Sequence, residues 1–321
     1  MKTKSLVTLH GNAFGTTYHI IVYKTSKVSE KQLHKGVDSV IYRVNKSVST
    51  YLPKSDISRI NQGDSTVVVD AIFKAIFKTS KKIHKNAQGY FDPTIGVLRN
   101  AYGFGDVKPL KQIDKKQLDS LMHFVGFEKV ILTAEGTIKK QHPETYIDFN
   151  AIAKGYGLDA IGNYFKTLGV KNFIIELGGE VVAKGSNLEK EKAWVVGIES
   201  PFSNLNHRTI TTKVALQDVA LASSGNYRKF RYDSLTGKKY VHTINPKTGL
   251  AEASDVLSAT VIAPNCTIAD GYATACMALG FEGAKKMLEK LNSVEAYLIY
   301  ASKNGDAEVF MTNGFKKYLA D

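Results

Sequence analysis

The chain has 321 residues, of which 43 % are hydrophobic and 23 % charged, and this composition is typical of a soluble globular protein with a substantial core. No run approaches the roughly 18 uninterrupted apolar residues of a membrane-spanning helix. Lys and Arg outnumber Asp and Glu by 43 to 30. The basic residues are mostly scattered lysines, and no Arg-rich tract occurs, which disfavours nucleic-acid binding. The remaining interpretations are a solvated basic surface or a surface that steers an anionic substrate.

The first half of the chain is predicted to be mainly helical, after a strand at residues 19–23. Apolar residues at helical spacing indicate four helices, whose apolar positions fall within residues 33–48, 72–77, 118–125 and 152–168. Asp70 and Asn150 are predicted to cap the second and fourth of these helices, and Gly126 and Gly169 to end the third and fourth.

After residue 171 the apolar pattern changes to a period of two, which is typical of strands. Strands are predicted at residues 173–177, 181–184, 194–199, 209–216, 219–222, 257–263, 296–300 and 308–312. One helix is predicted to begin shortly after Pro264 and another to cover residues 281–291. Because consecutive strands with short connections pair antiparallel, we predict an α+β protein with mainly antiparallel sheets and packed helices, not a doubly wound parallel fold.

Residues 89–105 contain aromatic residues and glycines that follow neither a helical nor a strand period. Tyr90 and Phe91, beside Asp92 and Pro93, are predicted to form a loop that could hold a flat ring. A packed structural loop is an equal alternative, because such loops carry both roles.

In residues 146–159, Asp148 ends a short β-like segment and a helix begins directly after it. The N-terminus of a helix offers unpaired N–H groups and a positive potential, so it favours phosphate. Lys154 lies in the first turn, where a cation is otherwise disfavoured, and a bound anion would explain it. The alternative is a surface lysine on an amphipathic helix.

Three further segments carry polar residues with weaker patterns. Gly178 and Gly179 end an apolar strand, which indicates a tight turn or close contact with a ligand, but they lack the G-x-G-x-x-G pattern. The segment Ser223-Ser224-Gly225 lacks the pattern of a nucleophilic serine. His242 precedes an Asn-Pro turn and has a pKa suited to proton transfer, although a lone histidine is more often structural.

Asp270 and Thr274 lie four residues apart in the helical run after Pro264, which places them on one face of the helix. Their neighbours are small alanines and a glycine, so this face has room for a ligand. Mg²⁺ is held by one or two carboxylates, with its other ligands from water and substrate. The pair therefore indicates a magnesium site, although such pairs are common on ordinary helices.

Taken in chain order, these segments resemble the FAD:protein FMN transferase (ApbE-like) family. The matching segments are residues 14–18, 49–51, 55–61, 91–94, 103–105, 148–155, 177–179, 223–227, 242–249 and 269–279. They span nearly the whole chain.

The resemblance implies an ApbE-like fold in which residues 1–321 form one catalytic unit, either as one body or as two closely packed lobes with the FAD site between them. It implies a Mg²⁺-dependent transferase that splits FAD, attaches FMN through a phosphoester bond to a Thr or Ser of a target flavoprotein, and releases AMP. It implies metal ligation by Asp270, Thr274 and the backbone carbonyl of Ala151. The FAD contacts would be Phe14, Tyr51, Tyr90, Phe91, Asp92, Asp148, Lys154 and Ile244.

His242 occupies the position of a histidine implicated in transfer. Because Asp270 bound to Mg²⁺ would be a poor base, we expect His242 to accept the proton of the acceptor hydroxyl. Two departures from the family pattern stand out: Phe14 replaces a methionine, and Asn150 replaces a glycine. A metal bond through the carbonyl of Ala151 is unaffected by the second change.

Two other functions are compatible with the same residues, namely an FAD pyrophosphatase and a non-catalytic FAD-binding protein. A nucleic-acid binder ranks last. The resemblance also implies an acceptor that is a redox-complex subunit, and a cell-envelope location as a membrane-attached lipoprotein whose leader is absent from this chain. The basic start of the sequence has no apolar signal segment, so a cytoplasmic location is the alternative.

Overall fold

The computed structural model describes residues 5–110, 113–203, 209–226, 230–232 and 239–320. The helices of this part are α1 (Glu30–Val48), α2 (Asp56–Asn61), α3 (Ala71–Asn86), α4 (Gly96–Tyr102), α5 (Lys115–Met122), α6 (Ala153–Thr167) and α7 (Cys266–Leu288), with 3₁₀ helices at Phe127–Lys129 and Asn313–Tyr318. The strands are β1 (Ser5–Ala13), β2 (Thr16–Lys24), β3 (Val130–Leu132), β4 (Ile138–Lys140), β5 (Asn172–Leu177), β6 (Glu180–Lys184), β7 (Trp194–Glu199), β8 (Ile210–Leu216), β9 (Val219–Gly225), β10 (Phe230–Tyr232), β11 (Lys239–Val241), β12 (Val256–Ala263), β13 (Glu295–Ala301), β14 (Ala307–Met311) and β15 (Leu319–Ala320).

Eight strands form a central sheet in the order β1-β2-β5-β6-β9-β12-β13-β14. Every neighbouring pair in this sheet is antiparallel. The sheet and the helices packed on it confirm the predicted α+β class. In the part of the chain that the structure describes, no helix has both the length and the apolar character needed to cross a bilayer.

The two faces of the central sheet pack against different layers, because side chains alternate along each strand. One face, which includes Ile20 and Ile175, belongs to the largest core cluster together with apolar residues of α1, α6 and α7. The other face includes Tyr297 and packs with a three-stranded sheet of order β15-β8-β7, whose Trp194 and Val214 are buried. Fully burying one such side chain contributes roughly 1.5–3 kcal/mol, so both layers are held mainly by apolar burial.

Local side-chain caps fix where several helices begin. Asp70 accepts a hydrogen bond from the Phe73 N–H, which confirms its predicted role at the start of α3. The prediction for Asn150 is wrong, because α6 starts at Ala153 without a side-chain cap. The Asn150 N–H instead donates to Asp148 Oδ1 at 2.7 Å, and this local turn delays the start of the helix.

Other boundaries also differ from the sequence predictions. Strand β1 and helix α2 were not predicted, and α4 lies inside residues 89–105, which lack a helical period. Helix α5 ends at Met122, before the predicted stop at Gly126, and Gly126 instead precedes a 3₁₀ helix. The two helices predicted after Pro264 form one run that is broken at Gly280, where φ is 72° and ψ is 174°.

Candidate active site

A cleft of about 1110 Å³ opens between the central sheet, the three-stranded sheet and the helices α6 and α7. His19 and Glu176 line it from the central sheet, where they are partners on β2 and β5. Lys213 lines it from β8, and Asp270 lines it from α7. Ligand pockets commonly measure roughly 300–1,000 Å³, so this cleft has room for a large ligand.

The cleft brings together most of the residues predicted for the site, namely Tyr90, Phe91, Asp92, Asp148, Ala151, Lys154, His242, Ile244, Asp270 and Thr274. Phe14 and Tyr51 are not among the residues that line it. The ring of Phe14 lies against Gly157 of α6, and Tyr51 is 57 % exposed after the end of α1. Their contact with FAD stays a prediction.

Asp270 lies on the second turn of α7 and is 3 % exposed. Its Oδ2 accepts a hydrogen bond of 3.1 Å from the Gly155 N–H in the first turn of α6. Burial raises the pKa of Asp270 to about 6, against the opposing effects of Lys154 and the Gly155 hydrogen bond. Asp270, Thr274 and Ala151 all line the cleft and offer a carboxylate, a hydroxyl and a backbone carbonyl. These hard oxygen donors fit Mg²⁺.

The carboxylate of Asp159, on α6, anchors the first turn of α7. It accepts hydrogen bonds from the backbone N–H groups of Cys266 and Thr267, both at 2.8 Å. These N–H groups have no partner inside the helix, so the carboxylate satisfies them and interacts favourably with the helix dipole. Asp159 thereby fixes the position of Asp270, one turn further along α7.

Helices α6 and α7 approach so closely at Gly155 that a side chain would not fit. A Cβ atom at this position would lie 2.3 Å from the backbone carbonyl oxygen of Cys266 and 2.9 Å from Cβ of Asp270. Backbone cannot move aside as a flexible side chain can. The glycine therefore allows the hydrogen bond between its own N–H and Asp270.

We expect the Gly155→Ala variant to lower the free energy of unfolding by about 1–3 kcal/mol, because the added methyl group forces the two helices apart. A ligand held by Asp270 should also bind more weakly, since Asp270 moves relative to α6. Urea unfolding of the purified protein measures the first effect.

The matched control is Gly162→Ala on the same helix, where an added Cβ would have its nearest neighbour, Phe173, at 3.4 Å. This variant should be neutral or more stable by roughly 0.5–1 kcal/mol, since alanine is the better helix former. Equal effects of the two variants would contradict the steric argument.

Lys154 and Glu180 form an ion pair in the wall of the cleft. Burial alone would lower the pKa of Lys154, but the nearby carboxylates of Glu180 and Asp270 outweigh it and raise that pKa above its usual range. Burial raises the pKa of Glu180 to about 8, although Lys154 opposes this shift. Lys154 therefore stays charged and keeps further N–H donors for an anionic ligand.

We expect the Lys154→Met variant, without metal, to lose stability relative to the wild type increasingly above about pH 6, because Lys154 opposes the burial that raises the pKa of Asp270 to about 6 and that of Glu180 to about 8. Below about pH 8, Glu180 is protonated in both proteins, because its pKa is about 8 even beside the lysine. Above it, the wild-type carboxyl ionises next to an ammonium group, whereas the variant's carboxyl has a still higher pKa without this partner and stays protonated, so the folded variant loses stability relative to its ionised unfolded state. The loss measured by urea unfolding should grow from about pH 6 to about pH 9, toward the roughly 3–5 kcal/mol of a broken buried pair.

The control for this prediction is Lys184→Met, which removes an exposed pair with Asp218 at 2.6 Å. Exposed pairs contribute about 0–1 kcal/mol, so this change should be small at both pH values. A pH-independent loss in Lys154→Met would contradict the assigned role of Glu180.

The loop around Asp92 is fixed by its own hydrogen bonds. Asp92 accepts from the N–H of Thr94 at 2.7 Å and from the N–H of Phe127 at 3.0 Å. His84 Nδ1 lies 2.9 Å from the carbonyl oxygen of Phe91. Both carboxylate oxygens of Asp92 are thus engaged by the protein, and the loop holds Tyr90 at the edge of the cleft.

Arg99 forms an ion pair with Asp148 in the same cleft, and sequence reasoning did not find it. Arg99 lies on α4, in the segment predicted as a loop. Its partner Asp148 is 7 % exposed, and the Asp148 N–H donates to the Pro93 carbonyl at 2.8 Å. The pair therefore ties the segment before α6 to α4.

His242 and Ile244 follow β11 and precede a turn closed by the hydrogen bond from the Gly249 N–H to the Asn245 carbonyl, 2.8 Å long. Ile244 is 2 % exposed and packs with Leu98 and Tyr102 of α4. His242 is half-buried at the cleft. The packing of Ile244 thus holds the backbone that carries His242.

Two buried side-chain atoms at the cleft have neither a hydrogen-bond nor an ion-pair partner among the described residues: Asn150 Nδ2 and Glu180 Oε2. Leaving such atoms unpaired costs roughly 1–3 kcal/mol each, so they point to a polar ligand. The glycine pair before Glu180 marked this region in the sequence, but nothing local indicated that Glu180 pairs with Lys154.

Comparison with known proteins gives consistent matches. A model of the ApbE family matches residues 14–298. Relatives described as FAD:protein FMN transferase, from Haemophilus influenzae and Vibrio cholerae, are 33 % and 32 % identical over 95 % and 99 % of this chain, and over 89 % and 94 % of their own. The solved structure of flavin transferase ApbE from Vibrio cholerae has a TM-score of 0.88 at 30 % identity, covering 99 % of this chain and 100 % of its own.

Proposed function

The chain belongs to the ApbE family, and on this basis we propose that it is an FAD:protein FMN transferase that depends on Mg²⁺. The proposal rests mainly on one observation. A single cleft of about 1110 Å³ is lined by Asp270, Thr274, Ala151 and Lys154. Oxygen donors for a divalent cation and an ammonium group for phosphate are the groups that a diphosphate substrate requires.

In the proposed reaction, a Thr or Ser hydroxyl of the acceptor attacks the phosphorus atom of FAD that is next to riboflavin. A bond forms between the hydroxyl oxygen and this phosphorus. The bond from phosphorus to the bridging oxygen of the diphosphate breaks, and AMP leaves with that oxygen. The hydroxyl proton passes to a base, and the product is a phosphoester between FMN and the acceptor.

Lys154 and the N-terminus of α6 stabilise the negative charge that develops at the phosphoryl oxygens. The raised pKa keeps Lys154 protonated while one of its N–H groups donates to Glu180. Preorganised positive groups of this kind stabilise the transition state without reorganising during the reaction. Mg²⁺ held by Asp270, Thr274 and the carbonyl of Ala151 would add electrostatic stabilisation of the diphosphate.

His242 is the proposed base. It lines the same cleft as Lys154 and Asp270, and imidazole is the side chain whose ordinary pKa best suits proton transfer near neutral pH. Tyr90, beside Phe91, is the proposed contact for the flavin ring. Phe14, Tyr51, Asp92, Asp148 and Ile244 complete the proposed FAD contacts.

The acceptor is proposed to be a redox-complex subunit at the cell envelope. The test is to incubate the enzyme with FAD, Mg²⁺ and separate membrane and soluble fractions of the source organism. Flavin fluorescence that follows an acceptor through a denaturing gel, with FMN found on Thr or Ser by mass spectrometry, supports transfer. Omitting Mg²⁺ and adding a chelator should abolish it.

The same experiment separates the alternatives, provided that AMP is measured beside the gel. AMP release without labelled protein would indicate an FAD pyrophosphatase, in which water replaces the hydroxyl. FAD binding with no AMP release under any metal condition would indicate a flavin-binding protein. Either result would overturn the proposed transfer.

A further inference from the structure

Strand β7 is an edge strand of the three-stranded sheet, and its open edge faces the candidate active site. Among the described residues it pairs with β8 alone, in the order β15-β8-β7. An edge strand presents a row of unpaired backbone N–H and C=O groups, which is a template for another extended chain. Of the edge strands of the two main sheets in the described part of the chain, only β7 lines the cleft.

The residues that line the cleft show how β7 is oriented. Successive side chains of a strand point to opposite faces, so a strand that presents a face lines a cleft with every second residue. After its first residue, Thr16, strand β2 does this with Thr17, His19 and Ile21. In contrast, the run from Ala193 to Gly197 lines the cleft without a gap. Residues of both faces of β7 thus line the cleft, such as Trp194, which is buried, and Val195, which is exposed. The open edge of β7 therefore borders the cleft, together with the face that carries Val195, Gly197 and Lys213.

The surroundings of this edge are apolar and basic. Val195 is 46 % exposed and Ile210 is 48 % exposed, although both are β-branched residues that favour burial. Lys190, Lys192 and Lys213 line the same stretch, and none forms an ion pair with a described residue.

In the turn before β7, the basic residues line the cleft and the acidic residues do not. The bridge between Asn187 and Lys192 closes this turn. Lys190 and Lys192 line the cleft, whereas the adjacent Glu189 and Glu191 do not. Glu199 lines the cleft at the far end of β7. The start of the strand therefore carries the positive potential.

We propose that the acceptor protein docks here by adding an extended, acidic segment to the open edge of β7, which presents its Thr or Ser to the cleft. Backbone hydrogen bonds to β7 would bind the acceptor segment whatever its side chains are. The lysines would favour acidic segments over others. The six residues of β7 give an edge of roughly 20 Å, enough for a segment of about six residues. This inference rests on the proposed transferase function.

Charge reversal tests the selection of acidic segments. With the acceptor identified by FMN labelling, the Lys190→Glu/Lys192→Glu variant should raise the KM for the acceptor by about tenfold or more and leave the Kd for FAD unchanged. The matched control is Lys286→Glu/Lys303→Glu, which makes the same charge change at exposed residues that do not line the cleft. Equal effects of the two double variants, or weaker FAD binding in the first, would overturn the proposal.

Amide hydrogen exchange tests the strand pairing in the unmodified enzyme. Saturating acceptor should slow the exchange of alternate amides in β7, because only every second N–H faces the open edge. Amides of β14, the far edge of the central sheet, should not change and serve as the internal control. No protection in β7 while FMN transfer proceeds would overturn the docking mode. No transfer at all would instead count against the proposed function.

Discussion

Replacing Asp270 by alanine is expected to abolish Mg²⁺-dependent release of AMP from FAD. The variant loses the only carboxylate among the proposed metal ligands, and a neutral hydroxyl and carbonyl bind a hard dication weakly. It also loses the acceptor of the Gly155 N–H at 3.1 Å, which fixes α6 against α7. Removing one preorganised electrostatic group typically costs about 10²–10³ in rate, and loss of the metal adds to this. AMP can be quantified by chromatography over a Mg²⁺ titration.

The Asp270→Asn variant separates the two losses. Its amide oxygen can still accept from Gly155, so its thermal stability should match that of the wild type while turnover stays low. If both variants released AMP at the wild-type rate, the metal site would be wrongly placed. If only the alanine variant failed, the role of Asp270 would be structural.

The His242→Ala variant is expected to bind FAD with wild-type affinity and to lose most transfer. General base catalysis contributes about 10²–10⁴ in rate, so a loss of this size is expected if His242 accepts the hydroxyl proton. FAD affinity is measured by quenching of flavin fluorescence, and transfer by in-gel fluorescence of the acceptor. Added imidazole should restore part of the rate, since it can enter a cleft open to solvent.

The control is His123→Ala, an exposed histidine outside the cleft, which should leave both quantities unchanged. Wild-type transfer by His242→Ala would refute the base assignment. Loss of FAD binding in this variant would assign His242 to substrate binding instead.

The helix that bears Asp270 and Thr274 could be predicted because its signals are local. The spacing of Asp270 and Thr274, and the change from strand to helix before them, depend only on neighbouring residues. The same holds for Asp70, whose capping bond joins residues three positions apart. Local patterns of this kind decide where helices begin, whatever the rest of the chain does.

The contacts that complete the cleft join residues far apart in the sequence, and no local pattern reports them. Glu180 meets Lys154 across 26 positions, and Asp159 meets Cys266 across 107. Arg99 was missed because α4 is short and lies among glycines, so its apolar spacing is too brief to stand out. Asn150 was taken as a helix cap because its residue type suits that role, but it lies in a local turn with Asp148 and α6 begins only at Ala153.

Helices α6 and α7 are joined at two points that lie one helical turn apart on each helix. Gly155 meets Asp270, and four residues later Asp159 meets the first turn of α7. Adding or removing one residue between these points on α6 would rotate Asp159 by about 100° and break the second junction. The number of residues between the two junctions is therefore fixed, so homologous chains should have neither insertions nor deletions in this stretch.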